Sequence, residues 1–219
     1  MVNFKFSKTG NAVFLSHHDM MRLFLLALRR AEVKIDSTKR GKLKVYFSPA
    51  TSIGAHSNAE FVQISSNLTA HKVADMIETY LPAGIKIIKE FDTDERINIA
   101  SIARLAKYEI EIEEIDKLEK GLSDLLKSEG FKVSRKLNGK IYEDTPAKFI
   151  HNFYFDKNKL YILSVVGDEH INIVQTIAQA LNKLGAKDNN FKITKTNIFA
   201  SFDNRYHDIE LMLIRSANK

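Results

Sequence analysis

The sequence predicts an α+β chain made of two tandem halves, each a split β-α-β unit. Three observations predict it. Apolar residues alternate with polar ones in several short runs, as half-buried strands do. Two long stretches in each half instead carry apolar residues at helical spacing. A charged connector, Asp92-Thr93-Asp94-Glu95-Arg96, separates two segments with the same element order. The order strand, helix, strand, strand, helix, strand is that of a ferredoxin-like domain. The expected division is therefore 1–95 and 99–219, the second domain carrying an extra hairpin.

In the first half, Val2, Phe4 and Phe6 alternate with Asn3, Lys5 and Ser7, predicting a half-buried strand over 2–7. Gly10-Asn11 is turn chemistry. Ser16-His17-His18-Asp19 is a capping box, which starts a helix near His17. Met20, Phe24, Ala27, Leu28 and Ala31 form its core stripe, with Arg22, Arg29 and Arg30 turned away. Residues 36–44 read as a basic loop around Gly41, 43–47 as a strand, 49–58 as a turn region and 60–65 as a strand. Thr69 caps a helix with its stripe at Val73, Ala74, Ile77 and Leu81, and 85–91 form the last strand.

The second half begins with a strand over 106–114. A helix follows on Ile115, Leu118, Leu122, Leu125 and Leu126, with Gly130 placed to end it. Phe131 and Val133 open a strand, and Asn138-Gly139 is a hairpin signal. Strands over 149–155 and 160–166, a helix over Ile173–Leu184 and a strand over 191–200 complete the unit. Residues 209–214 read as a further strand.

Composition narrows the chemistry. The 219 residues include no cysteine, which excludes disulfides, zinc–cysteine sites, thiol catalysis and any iron–sulfur cluster held by this chain. The longest apolar run, Leu23–Leu28, is too short for a membrane span, and the N-terminus has no secretory pattern, so the expectation is a cytoplasmic protein. The net charge is +6. Residues 1–50 alone hold ten basic groups against three acidic ones, or +7, so the excess is local. There is no Walker loop, Gly-x-Ser-x-Gly or dinucleotide fingerprint.

Three groups of candidate site residues stand out. Ser16, His17 and His18 lie at a helix N-terminus, where amides favour anions and histidine can transfer protons. Capping explains Ser16 and Asp19 but not His17. Arg22, Arg29 and Arg30, with Lys34, Lys39, Arg40, Lys42 and Lys44, suit phosphate contact with RNA. A solvated face or an acidic protein partner would use the same residues. Glu60 is a candidate anchor for an arginine or a ligand, or an ordinary strand acid. The aromatics at Phe149, Phe153, Tyr154 and Phe155, and at Phe199, Phe202 and Tyr206, read as core rather than as base-stacking residues. No histidine pair has metal-ligand spacing, so no metal is expected.

The segments Phe14-Leu15-Ser16-His17-His18-Asp19 with Arg22, Ala27-Leu28-Arg29-Arg30-Ala31, and Phe47-Ser48-Pro49-Ala50 with Gly54, Ser57 and Glu60-Phe61 resemble the radical SAM-linked protein family. That family is a conserved domain of unknown function, fused to or encoded beside radical SAM enzymes. The resemblance implies a non-catalytic accessory or substrate-binding module. Its partner enzyme would carry the iron–sulfur cluster, S-adenosylmethionine and cobalamin. The chain departs from the family pattern at His18, where leucine is usual. It departs again at Thr38-Lys39-Arg40-Gly41-Lys42-Leu43, where the family has a Gly-Phe-Asn-Pro-His-Pro loop. The rival reading is an RNA-processing endonuclease of the CRISPR type, with His17 as acid or base. The Gly-rich loop expected near the C-terminus of such enzymes is missing.

Overall fold

The structure, a computed structural model, describes all residues except 138–139, 168–170, 187–189, 204 and 218–219. The fold is mixed α+β, with eleven strands and six α-helices among the described residues. In the first half these are β1 (Val2–Lys8), α1 (His17–Arg30), β2 (Val45–Phe47), β3 (His56–Ile64), α2 (Ala70–Ile77) and β4 (Ile85–Asp92). A short helix, α3 (Ile99–Ile102), leads into β5 (Ala103–Ile112), α4 (Ile115–Lys127) and the pair β6 (Val133–Leu137) and β7 (Lys140–Asp144). Then follow β8 (Ile150–Asp156), β9 (Lys159–Val165), α5 (Ile173–Lys183), β10 (Phe191–Phe202), β11 (Arg205–Asp208) and α6 (Ile209–Ala217).

One mixed sheet runs through both halves in the order β4-β1-β3-β10-β5-β9-β8, with β2 on β3 and β11 on β10. The join is a short parallel pairing of β3 with β10, His56 beside Thr194 and Ser57 beside Lys195. Within the halves the orders are β4-β1-β3-β2 and β10-β5-β9-β8, with antiparallel neighbours throughout. Strands β6 and β7 form a separate antiparallel ribbon. The expected turn at Asn138-Gly139 lies outside the described residues.

Helices α1 and α2 cover one face of the first half, over Val2, Phe4, Phe6, Val62 and Ile64. Helices α4 and α5 cover the same face of the second half, over Tyr108, Ile110, Leu160 and Ile162. Phe24 of α1 is fully buried, with its ring centroid 4.7 Å from Phe6 and 5.7 Å from Phe47. Burying such a ring contributes about 2–3 kcal/mol.

Tyr154, Phe202 and Tyr206, read as core from the sequence, are exposed. Three expectations about the elements also need correction. Residues 209–217 are helical, not a strand: Ile209 and Leu213, four apart, bury one helical face against Phe61, Phe91, Ile198 and Ala200 on the sheet's opposite side. That cover changes β1, which is buried on both faces rather than half-buried. Asn3 is satisfied there by Gln63 and Thr93, and Lys5 by Glu210 of α6. Thirdly, β3 starts at His56, inside the segment expected to be a turn, because the parallel partner β10 extends its ladder.

Gly84 holds the approach to α1. It has φ +92, and a Cβ there would meet the Thr9 carbonyl oxygen at 2.2 Å. Thr9 donates its amide to the Gly84 carbonyl at 2.8 Å, pinning the end of β1 and the turn that leads to α1. The Gly54 amide donates to the Val13 carbonyl at 2.9 Å, which fixes the 48–55 loop against the same turn.

Candidate functional site

Helix α1 starts where its capping box places it. The Ser16 hydroxyl accepts the Asp19 amide at 3.2 Å, and the Asp19 carboxylate accepts the Ser16 amide at 3.1 Å. Hydrogen bonds from Ser16 hold the Asp19 carboxyl below its usual range. At about 100° per residue, His17 falls within about 60° of Met20, Phe24 and Leu28, whereas Arg22 and Arg29 lie about 120–140° away. His17 is exposed, yet its phase sets it at the sheet side of the helix start, where its ring meets Phe47 edge-on at 5.9 Å. Thus His17 and the arginines, grouped in one segment by the sequence, serve different surfaces.

The outer surface is cationic. Arg22, Arg29 and Arg30 are exposed on α1, as are Lys39, Arg40 and Lys42 on the following loop; Lys44 is half-buried. The loop is an ordered turn: the Thr38 amide donates to Lys42 O and the Gly41 amide to Thr38 O, each at 2.8 Å. Asp36 anchors its base through the Ser65 hydroxyl at 2.7 Å. None of these seven cations makes a salt bridge among the described residues.

The inner surface is a small polar pocket lined by Lys8, Ser16, His17, Phe47, Ser48, Thr51 and Glu60, among others. It has about 10 Å³ of space, roughly one water. Glu60 stands beside Phe6 in the β1–β3 register, so it projects to the α1 face. Its Oε1 takes a salt bridge from Lys195 Nζ at 2.7 Å and the hydroxyl hydrogen bond of Thr51. Lys195 is 1% exposed and also approaches the Pro49 carbonyl at 3.3 Å. Lys8 is 4% exposed, and its ammonium makes no hydrogen bond or ion pair with a described residue.

These groups shift one another's titration. Burial lowers the Lys8 pKa and Lys195 lowers it further, with Glu60 opposing. Burial likewise lowers His17, against Glu60 and with help from His18, Lys195 and Lys8. His17 is therefore neutral at pH 7. Tyr108 is opposite Lys195 in the β5–β10 register, and burial raises its phenol well above the ordinary range, reinforced by Glu60. Tyr108 also lines a neighbouring cleft of about 290 Å³ with Pro49, Ala50, Val165 and Ile171.

Of the sequence candidates, the structure brings Ser16, His17 and Glu60 together and leaves His18, the arginines and the loop lysines outside. Lys8, Ser48 and Thr51 join the pocket unforeseen, with Lys195 bonded to its Glu60 and Tyr108 in the neighbouring cleft. A signal for the two lysines was present. Lys8 continues the period-two phase of Val2, Phe4 and Phe6, and Lys195 that of Phe191 and Ile193, so each occupies an apolar position. Of the ten basic residues behind the local +7, Lys5 and Lys8 are interior. Among the described residues no three His, Asp or Glu side chains gather to hold a metal, and no helix is long and apolar enough to cross a membrane. Larger grooves of about 600 and 530 Å³ lie open on the surface of the second half, along Glu111, Lys159 and Lys192 and along α4 and β8. Lys159 there is tied to Glu109 and Glu111.

No curated protein matches the chain. Residues 2–176 match the model of a family described as an uncharacterized protein conserved in bacteria (DUF2344). The match spans all of the first half and both candidate surfaces except Lys195, and the chain belongs to that family.

Proposed function

We propose that this protein is a non-catalytic accessory module that binds RNA or a similar polyanion through α1 and the 36–44 loop, for a radical SAM enzyme. The observation that carries the binding half is the outer surface. Seven cations lie on one helix face and the ordered loop after it, with no salt bridge among the described residues. Arginine guanidiniums hold phosphates bidentately, and a helix face continued by a loop can follow a backbone. The accessory half rests on the resemblance at residues 14–64. On that reading the partner supplies the iron–sulfur cluster, S-adenosylmethionine and cobalamin, since this chain has no cysteine. We read the halves 1–95 and 99–219 as ferredoxin-like domains, a reading supported by the strand order common to both.

The test is binding of single-stranded RNA across a salt series. Replacing Arg22, Arg29 and Arg30 together by Ala should weaken binding at least about tenfold. It should also lower the slope of log K against log salt by about 2, near 0.7 for each phosphate no longer neutralised. Absence of salt-dependent binding by the native chain contradicts the RNA reading, and failure to co-purify with a radical SAM enzyme contradicts the accessory one. A second reading, RNA cleavage with His17 as acid or base, is favoured by one observation: His17 is kept neutral beside Lys8. Cleavage activity abolished in His17→Ala would establish it.

A further inference from the structure

We infer that the Lys8 pocket is a binding site for a single oxyanion group, a phosphodiester or a carboxylate, seated between the Lys8 ammonium and the start of α1. The first reason is Lys8. The residue is 4% exposed, and its ammonium has no hydrogen bond or ion pair with a described residue. An ammonium so nearly enclosed, with room beside it for about one water, gains from an anion oxygen that takes that water's place. Glu60 acts on it through space while its own Oε1 is engaged by Lys195 and Thr51.

The second reason is charge. Lys8 and Lys195 face one carboxylate, Glu60, leaving one positive charge for a monoanion to neutralise. His17 faces the same space as a neutral ring and can donate or accept there without changing that balance. Tyr108 stays a neutral phenol. The one acid nearby on α1, Asp19, is on the solvent side and is tied to Ser16.

The third reason is the backbone. Ser16 satisfies the Asp19 and Met20 amides, through its hydroxyl and its carbonyl. The amides of His17 and His18, first in the helix, have no intrahelical acceptor, and such amides favour an anion. The small size of the pocket then selects the ligand. It admits about one oxygen atom, so the rest of the molecule stays at the surface. A phosphodiester of a chain held on the arginine face fits that demand; in that form the inference rests on the RNA reading. A free carboxylate does not require it.

Residue-resolved NMR of the full chain tests the site, following the Lys8 and Lys72 side chains and the His17 amide. The probes are dimethyl phosphate, acetate and a short single-stranded RNA. At least one should shift the Lys8 and His17 signals saturably, while those of exposed Lys72 stay unchanged. Saturable shifts with the small anions, retained after Arg22, Arg29 and Arg30 are replaced by Ala, identify a free ligand. They would stand even if RNA binding failed. Shifts with RNA alone, absent in that triple variant, identify the polymer backbone. Thermal stabilisation by the binding probe should vanish in Lys8→Met; if that variant does not fold, the titration of the native chain decides alone. Unchanged Lys8 signals with every probe, or equal shifts at Lys72, overturn the inference.

Discussion

Two carboxylates each face two lysines, on opposite sides of the same sheet. On the α6 side Glu210 holds both Lys5 and Lys89 in direct hydrogen bonds. On the α1 side Glu60 holds only Lys195, and Lys8 stands by without a direct partner among the described residues. The composition is the same and the geometry is not. Glu210 closes a clamp that fastens α6 across β1 and β4; each lysine bonds to it directly, and the charge in excess belongs to Lys89, whose side chain is half in solvent. The Glu60 cluster keeps a cation in reserve, next to a helix N-terminus and a pocket. Buried charge by itself therefore does not mark a site; an enclosed cation that the fold leaves without a direct partner does.

The largest effect should come from Glu60→Gln. It strands Lys195, almost wholly buried, together with Lys8, and should lower stability by about 3–5 kcal/mol in urea denaturation at pH 7. Lys195→Met should be milder, because Lys8 remains to balance Glu60. If the two variants cost the same, Lys8 does not sense Glu60 as described.

Glu210→Gln should cost less, about 2 kcal/mol, since half of the Lys89 side chain is solvent-exposed. Its pH signature is distinct. Burial pushes the Glu210 carboxyl up, but the hydrogen bonds from Lys5 and Lys89 outweigh it and leave it below its usual range. A depressed folded value means the stabilisation is complete above the unfolded value of about 4.3 and disappears as pH falls through the folded one. The native chain should lose stability over that acid window more steeply than Glu210→Gln does. Parallel acid profiles would remove the clamp from the description.

Much of the fold was readable along the chain. The capping box places the start of α1, and alternation places β1 and β5, because these signals are local. The parallel join of β3 to β10 was not readable. It depends on two short segments about 140 residues apart, and neither announces the other. The helix α6 was misread because Ile209, Leu211 and Leu213 also fit alternation; only packing against the far face of the sheet decides between periods. The site was half-legible for the same reason. Ser16, His17 and Glu60 draw attention by residue type, whereas Lys8 enters only through the charge count of residues 1–50 and Lys195 is not singled out. Their phase in the strands was available, but what encloses them comes from the other half of the chain.

The contrast between the two clusters is tested most directly by Lys8→Met and Lys5→Met, compared in urea at neutral pH. Removing an unmatched buried ammonium should raise stability by about 1 kcal/mol, whereas removing one arm of the Glu210 clamp should lower it by about 1–2 kcal/mol. Opposite signs are the predicted result. Shifts of the same sign would contradict the distinction between an open cluster and a closed one.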